Sequence, residues 1–210
     1  MFIDIHTHQK TSEYFFLHNA FVEEVEIPCS YGIHPCYITV DYKVELLQLE
    51  KLIKSENCFA IGECGLDKNT DIDWNVQMEV FEAQIKLSEE GSLPLIIHCV
   101  RAIQELILLK RKFKPKQPWI FHGFRKTNTA MQLLAEGFYL SIGLALLKDE
   151  KLQQTVQTIP LERIFLETDD KEGEIKSLYE KLAELKGKSI SEIVAQIEQN
   201  FEKVFQRKRK

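Results

Sequence analysis

Short apolar runs alternate along this chain with longer stretches of helical spacing. Phe2-Ile3-Asp4-Ile5 opens it as a short buried strand. Cys29-Ser30-Tyr31-Gly32-Ile33 and Cys58-Phe59-Ala60-Ile61-Gly62 repeat the pattern, followed by Leu93-Pro94-Leu95-Ile96-Ile97 and Pro118-Trp119-Ile120-Phe121. Phe138-Tyr139-Leu140-Ser141-Ile142 and Arg163-Ile164-Phe165-Leu166 complete the set. Helical spacing fills the gaps at 44–54, 74–90, 101–112, 127–136 and 148–158, and two more helices follow at 174–185 and 189–205. In the first of these Leu46, Leu49, Leu52 and Ile53 share one side, and in the second Gln77, Phe81 and Gln84 do. That second stripe reads as core packing with its amides bonded inward. Gly91 and Gly137 read as helix stops, and Ser189-Ile190-Ser191-Glu192 fits a capping box.

Strand–helix alternation with short apolar strands implies a parallel sheet. Seven such units fit a closed or nearly closed sheet better than an open one. The predicted fold class is therefore α/β, a distorted TIM-type (β/α) barrel with seven or eight parallel strands. The eighth strand would have to lie within 21–27. No linker, repeat or low-complexity stretch interrupts the pattern, so 1–210 is read as a single domain.

Charge and cysteine content narrow the context. The net charge of -5 means that nucleic-acid contact, if made, is local. Five cysteines, an odd number without CxxC spacing, argue for a reducing compartment and against a disulfide framework. No basic stretch precedes an apolar run at the N-terminus, and no run approaches the ~20 residues of a membrane span. The expectation is a cytoplasmic protein with no membrane association and no obligate protein partner.

The candidate chemistry begins at Asp4-Ile5-His6-Thr7-His8. Two histidines two apart on an extended segment point the same way and can grip one ion. Glu63, His98, His122 and Asp169 also fall where strand runs stop. In a barrel of this type such ends converge on one face. Four imidazoles and two carboxylates make a two-metal inventory, since one carboxylate can bridge two cations. Mixed ligation of this kind suits zinc or manganese, and magnesium less well. His18 lies outside the predicted strand ends and reads as a surface or packing residue.

These stretches resemble the TatD-like metal-dependent hydrolases (the TatD DNase family). The matching segments are Asp4 to His8, Gly32-Ile-His-Pro35, Ala60-Ile-Gly-Glu-Cys-Gly-Leu-Asp67, Pro94-Leu-Ile-Ile-His98, Phe121-His-Gly-Phe124 and Leu166-Glu-Thr-Asp169. They occur in the family's order. The resemblance implies a metal-dependent hydrolase that cleaves phosphodiester bonds of DNA, a deoxyribonuclease. It implies two divalent ions (zinc, magnesium or manganese): His6, His8 and Asp169 on one, His98 and His122 on the other, Glu63 bridging both. Asp169 and Glu63 are the expected catalytic residues, with Asp169 holding and deprotonating the attacking water. His34, Arg125 and Asp67 are the expected substrate-side residues. His34 would meet the phosphate, and Asp67 would orient a ligand or simply serve a turn.

The chain departs from the family pattern in four places. Cys36 stands where the family usually has Trp, Val100 where it often has Arg, most of the early strand–helix unit is lacking, and the loop after Asp169 is cut to 170–173. Those loops border the substrate. A two-metal hydrolase of a small phosphate ester or amide therefore stays open, as does a non-catalytic metal or nucleic-acid binder. Arg125, Lys126 and Lys68 follow strand ends and are the better phosphate contacts. The basic run 110–116 falls on the opposite face, and the basic tail 207–210 reads as an unpacked end.

Overall fold

The computed structural model describes residues 1–171 and 173–207. Residues 208–210 of the basic tail and Glu172 of the short loop lie outside the described residues. Eight strands are present: β1 (Ile3–Thr7), β2 (Phe15–Asn19), β3 (Cys29–Tyr31), β4 (Cys58–Asp67), β5 (Leu95–Val100), β6 (Trp119–Phe121), β7 (Tyr139–Ile142) and β8 (Ile164–Leu166). Between and after them run α1 (Tyr42–Leu52), α2 (Trp74–Gly91), α3 (Ile103–Phe113), α4 (Ala130–Ala135), α5 (Glu150–Thr158), α6 (Ile175–Lys186) and α7 (Ile190–Phe205). The strands follow chain order in one sheet, and the described pairings are parallel. The fold is the expected (β/α) barrel, with eight strands. Nearly every strand residue is buried. This explains why the runs are continuously apolar rather than alternating.

The chain forms two compact units, Met1–His18 with His122–Lys210, and Asn19–Phe121. In the first, β8 lies beside β1 through a parallel bridge between Thr7 and Asp169. The Tyr179 hydroxyl on α6 accepts from the Ile3 N–H at 2.9 Å and donates to the Ile3 carbonyl at 3.0 Å. Asn200 on α7, fully surrounded, donates to the carbonyls of Leu161 and Ile164, both at 2.9 Å. Phe201 and Phe205 stack with centroids 4.4 Å apart. The capping box at Ser189 and Glu192 is formed in both directions.

In the second unit α2 carries the organising polar contacts. The Gln84 amide accepts from the Ile33 N–H at 2.8 Å and donates to the Ile33 carbonyl at 3.0 Å. Gln77 accepts from the Asp67 N–H and donates to the Ile72 carbonyl, both at 2.9 Å. Both amides thus satisfy backbone that α2 would otherwise bury unpaired, as the spacing of Gln77, Phe81 and Gln84 implied.

Three elements differ from the sequence reading. The additional strand is Phe15–Asn19, paired with β1 through Ile3 and Phe15, not a segment within 21–27. Glu23, Glu24 and Glu26 make that later segment too polar for a fully buried strand, and His18 accordingly lies on β2. Strand β4 runs on past Gly62 to Asp67. Asp67, for which a turn was one reading, ends the strand instead. Gly65 sits inside the β4–β5 ladder opposite His98, where a Cβ would fall 2.0 Å from the His98 carbonyl oxygen. Helix α2 takes Gly91 as its last residue, and Ser92 supplies the left-handed stop.

Candidate metal centre

In the first unit the donors stand at or just beyond the ends of β1, β6 and β8. The β1–β8 ladder continues past the strands. Asp169 N–H donates to the His6 carbonyl at 3.0 Å, and His8 N–H to the Asp169 carbonyl at 3.1 Å. That pins the backbone of all three ligand candidates. Asp169 has φ of 60°, a conformation tolerated best by Gly, Asn and Asp. Its Oδ1 lies 3.6 Å from His6 Nε2 and 3.8 Å from His8 Nε2. The His122 ring stands 4.6 Å from the His6 ring, centroid to centroid.

Two further carboxylates hold this set in place. Asp4, within β1, accepts from the His6 N–H at 3.2 Å and from the Thr168 hydroxyl at 2.6 Å. Burial pushes its carboxyl up to about 7, although the bonds from Thr168 and His6 oppose the rise. Glu167, fully buried, accepts from the Gly123 N–H at 2.6 Å and lies 3.3 Å from His122 Nδ1. Burial raises the Glu167 carboxyl, but the His122 charge and hydrogen bond outweigh it, and the net direction is down. Neither residue was singled out as functional in the sequence. Glu167 sits inside the quoted Leu166 to Asp169 segment, and its place directly after a strand run was the available signal.

In the second unit Glu63 lies on β4 and His98 on β5 rather than at strand ends. Glu63 Oε1 is 2.8 Å from His98 Nδ1 and 3.1 Å from His34 Nε2. The other nitrogen of His98, Nε2, is 2.9 Å from Asp67 Oδ2. His98 is thus clamped between two carboxylates. Burial raises the Asp67 carboxyl, but hydrogen bonds from His98 and the Asn69 backbone outweigh it and lower it overall. Asn19 donates to Glu63 Oε2 at 3.4 Å and accepts from the Glu63 N–H at 3.2 Å. His34 Nδ1 accepts from the Cys36 N–H at 3.1 Å. Burial, with Asp67 beside it, raises the Cys36 thiol.

Within the first unit, then, the structure brings together His6, His8 and Asp169, with His122 beside His6. Within the second it brings together Glu63, His98, His34 and Asp67. Arg125 is not drawn into either cluster. It projects from the loop after β6, 3.7 Å from the Asp149 carboxylate. It lines a cavity of about 790 Å³ with Lys148, Lys171, Glu174 and Ser177. Lys68 is ion-paired with Glu105.

The donor set of the first unit fits a divalent cation. Ligands ~2.1 Å from a common ion at tetrahedral angles are ~3.4 Å apart. The His6, His8 and Asp169 donor atoms all lie within 4.8 Å of one another. The set is two neutral-capable imidazoles and one carboxylate, a combination typical of zinc and manganese sites.

A family model described as TatD related DNase matches residues 7–206. The chain belongs to that family. It is 30% identical over 203 residues to the metal-dependent hydrolase YabD of Bacillus subtilis, an uncharacterized protein, covering 88% of this chain and 80% of that one. It is 34% identical over 145 residues to the 3'-5' ssDNA/RNA exonuclease TatD of Erwinia tasmaniensis. That match covers 66% of this chain but only 56% of the Erwinia protein. The crystal structure of YJJV, a TatD homolog from Escherichia coli K12, superposes with a TM-score of 0.82 at 20% identity, covering 99% of this chain and 98% of that one. A TatD-family hydrolase structure from Entamoeba histolytica gives a TM-score of 0.78 at 17% identity, covering 97% of each chain. These structures establish the shared fold. No helix among the described residues is long and apolar enough to cross a membrane.

Proposed function

We propose that this hydrolase cleaves phosphodiester bonds of DNA with two divalent cations. The observation that carries the reading is the convergence of His6 Nε2 and His8 Nε2 on one oxygen of Asp169. The names of relatives as ssDNA/RNA exonucleases support the substrate class. In this reading His6, His8 and Asp169 would hold one cation, His98 and His122 would hold the other, and Glu63 would contribute to both. The bound cations supply Lewis acidity, which brings water within reach of deprotonation at neutral pH.

The chain's own residues do the rest. Asp169, its backbone tied to His6 and His8, holds the attacking water and takes its proton. Glu167 fixes the His122 ring, and Asp67 fixes the His98 ring, each through a nitrogen, as carboxylates behind ligand histidines do. His34 and Arg125 receive non-bridging phosphate oxygens, Arg125 through its planar donor fork.

The test is digestion of end-labelled single- and double-stranded DNA and RNA with magnesium, manganese or zinc. Glu63→Ala serves as the control. The expected result is metal-dependent cleavage by the unaltered protein alone. Absence of cleavage with every ion, together with turnover of a small phosphate ester, would replace this reading with a small-substrate hydrolase.

A further inference from the structure

The proposed centre uses one nitrogen of His98, Nδ1, which faces Glu63. The other, Nε2, faces the Asp67 carboxylate, which also meets Cys36. Asp67 Oδ2 is 2.9 Å from His98 Nε2 and 3.5 Å from Cys36 Sγ. The donor atoms of His34, Cys36 and His98 all lie within 4.8 Å of one another. Around a tetrahedral zinc with bonds of ~2.3 Å to sulfur and ~2.0 Å to oxygen or nitrogen, neighbouring donors are ~3.3–3.5 Å apart. The Asp67–Cys36 separation matches such an edge, and the Asp67–His98 separation is slightly shorter.

We propose that Cys36, Asp67 and His98, with His34 beside Cys36 and His98, form a site for a thiophilic divalent cation of the zinc class, separate from the two ions of the hydrolytic centre. Sulfur selects for this class and against magnesium or calcium, which take oxygen donors. Binding releases the Cys36 thiol proton to solvent, shifts the His98 Nε2 proton through solvent to Nδ1, and replaces the His98–Asp67 hydrogen bond with two bonds to the ion. His98 then donates that Nδ1 proton to Glu63 Oε1, 2.8 Å away. The two uses of His98 exclude each other. With Nδ1 on a cation shared with Glu63, Nε2 donates to Asp67; with Nε2 on the thiophilic ion, Nδ1 donates to Glu63. Occupancy of this site therefore withdraws one ligand from the hydrolytic centre, so excess zinc inhibits. This consequence for activity rests on the reading under Proposed function, whereas the site itself does not.

The test is titration of the full chain with cobalt(II) and cadmium(II), read by thiolate-to-metal charge-transfer absorption. The other cysteines, Cys29, Cys58, Cys64 and Cys99, are buried. The expected result is a saturable band in the unaltered protein and in Glu63→Ala, absent in Cys36→Ser. In Asp67→Asn it requires more than about tenfold higher metal. No band in the unaltered protein, or an undiminished band in Cys36→Ser, overturns the proposal. Circular dichroism of each variant establishes that a lost band reflects a lost ligand and not unfolding. Nuclease activity assayed with manganese alone reports on the hydrolytic reading separately. A band without nuclease activity leaves the site standing and removes that reading; nuclease activity without a band does the reverse.

Discussion

The two clusters of ligand candidates are built differently. Around Asp169 the imidazole nitrogens stand 3.6 and 3.8 Å from the carboxylate oxygen. Those are separations of donors arranged around a common point rather than bonded to each other. Around Glu63 the nitrogens of His98 and His34 stand 2.8 and 3.1 Å away, within hydrogen-bond range. The first cluster is held by main chain, through the ladder that ties Asp169 to His6 and His8. The second is held by side chains, through the carboxylates of Glu63 and Asp67 on either side of one imidazole. A main-chain clamp keeps its geometry whatever the protonation of the rings. A side-chain clamp depends on which nitrogen of His98 carries the proton.

Substitutions can break or sharpen this contrast. The largest effect is expected at Asp169→Asn, which removes the water-holding carboxylate. Asn tolerates the left-handed backbone found there, so the ladder to His6 and His8 survives. Hydrolysis should fall by at least about three orders of magnitude while the thermal midpoint stays near that of the unaltered protein. Retained turnover would refute the role of Asp169. A smaller effect is expected at Glu167→Gln, which keeps a hydrogen-bonding shape beside His122 but removes the charge. Metal affinity measured by calorimetry should fall about 10–100-fold.

Two further changes act on the frame rather than on the donors. Gln84→Leu leaves the Ile33 N–H and carbonyl without their buried partner. It should cost about 2–3 kcal/mol in urea unfolding. An effect below about 0.5 kcal/mol would show that the α2 amide does not secure the segment leading to His34. The smallest effect is expected at Ser189→Ala. It removes the cap of α7 in the other unit and should cost about 1 kcal/mol, with metal binding unchanged.

Much of this was legible from residue types and spacing. Runs such as Leu95-Ile96-Ile97 and Ile164-Phe165-Leu166 identify buried strands because both faces are covered. The residues at or near their ends, His98 and Asp169 among them, mark the chemistry. The extent of β4 was not legible. Gly65 looks the same in a sequence whether it makes a turn or admits a neighbouring strand, and only its approach to the His98 carbonyl distinguishes the two. The position of β2 was hidden for a related reason. Phe15-Phe16-Leu17 and the run beyond Phe21 are both apolar at their start, and pairing with Ile3 selects the earlier one. The supporting carboxylates were hidden as well. Asp4 and Glu167 read as ordinary acidic residues within their segments, and their burial comes with contacts to Thr168 and His122, distant from them in the chain.

By itself, then, the sequence determined seven of the eight strands, the helices between them and the chemical inventory of histidines and carboxylates. Both follow from local periodicity and side-chain identity, which need no knowledge of neighbours. Only the tertiary structure decided which nitrogen of each imidazole meets which oxygen. It also decided that Glu167 backs His122, and that Cys36 shares a cluster with His98 and Asp67. Those pairings depend on register between strands some thirty or more residues apart. A shift of one residue would turn the same side chains to the opposite face.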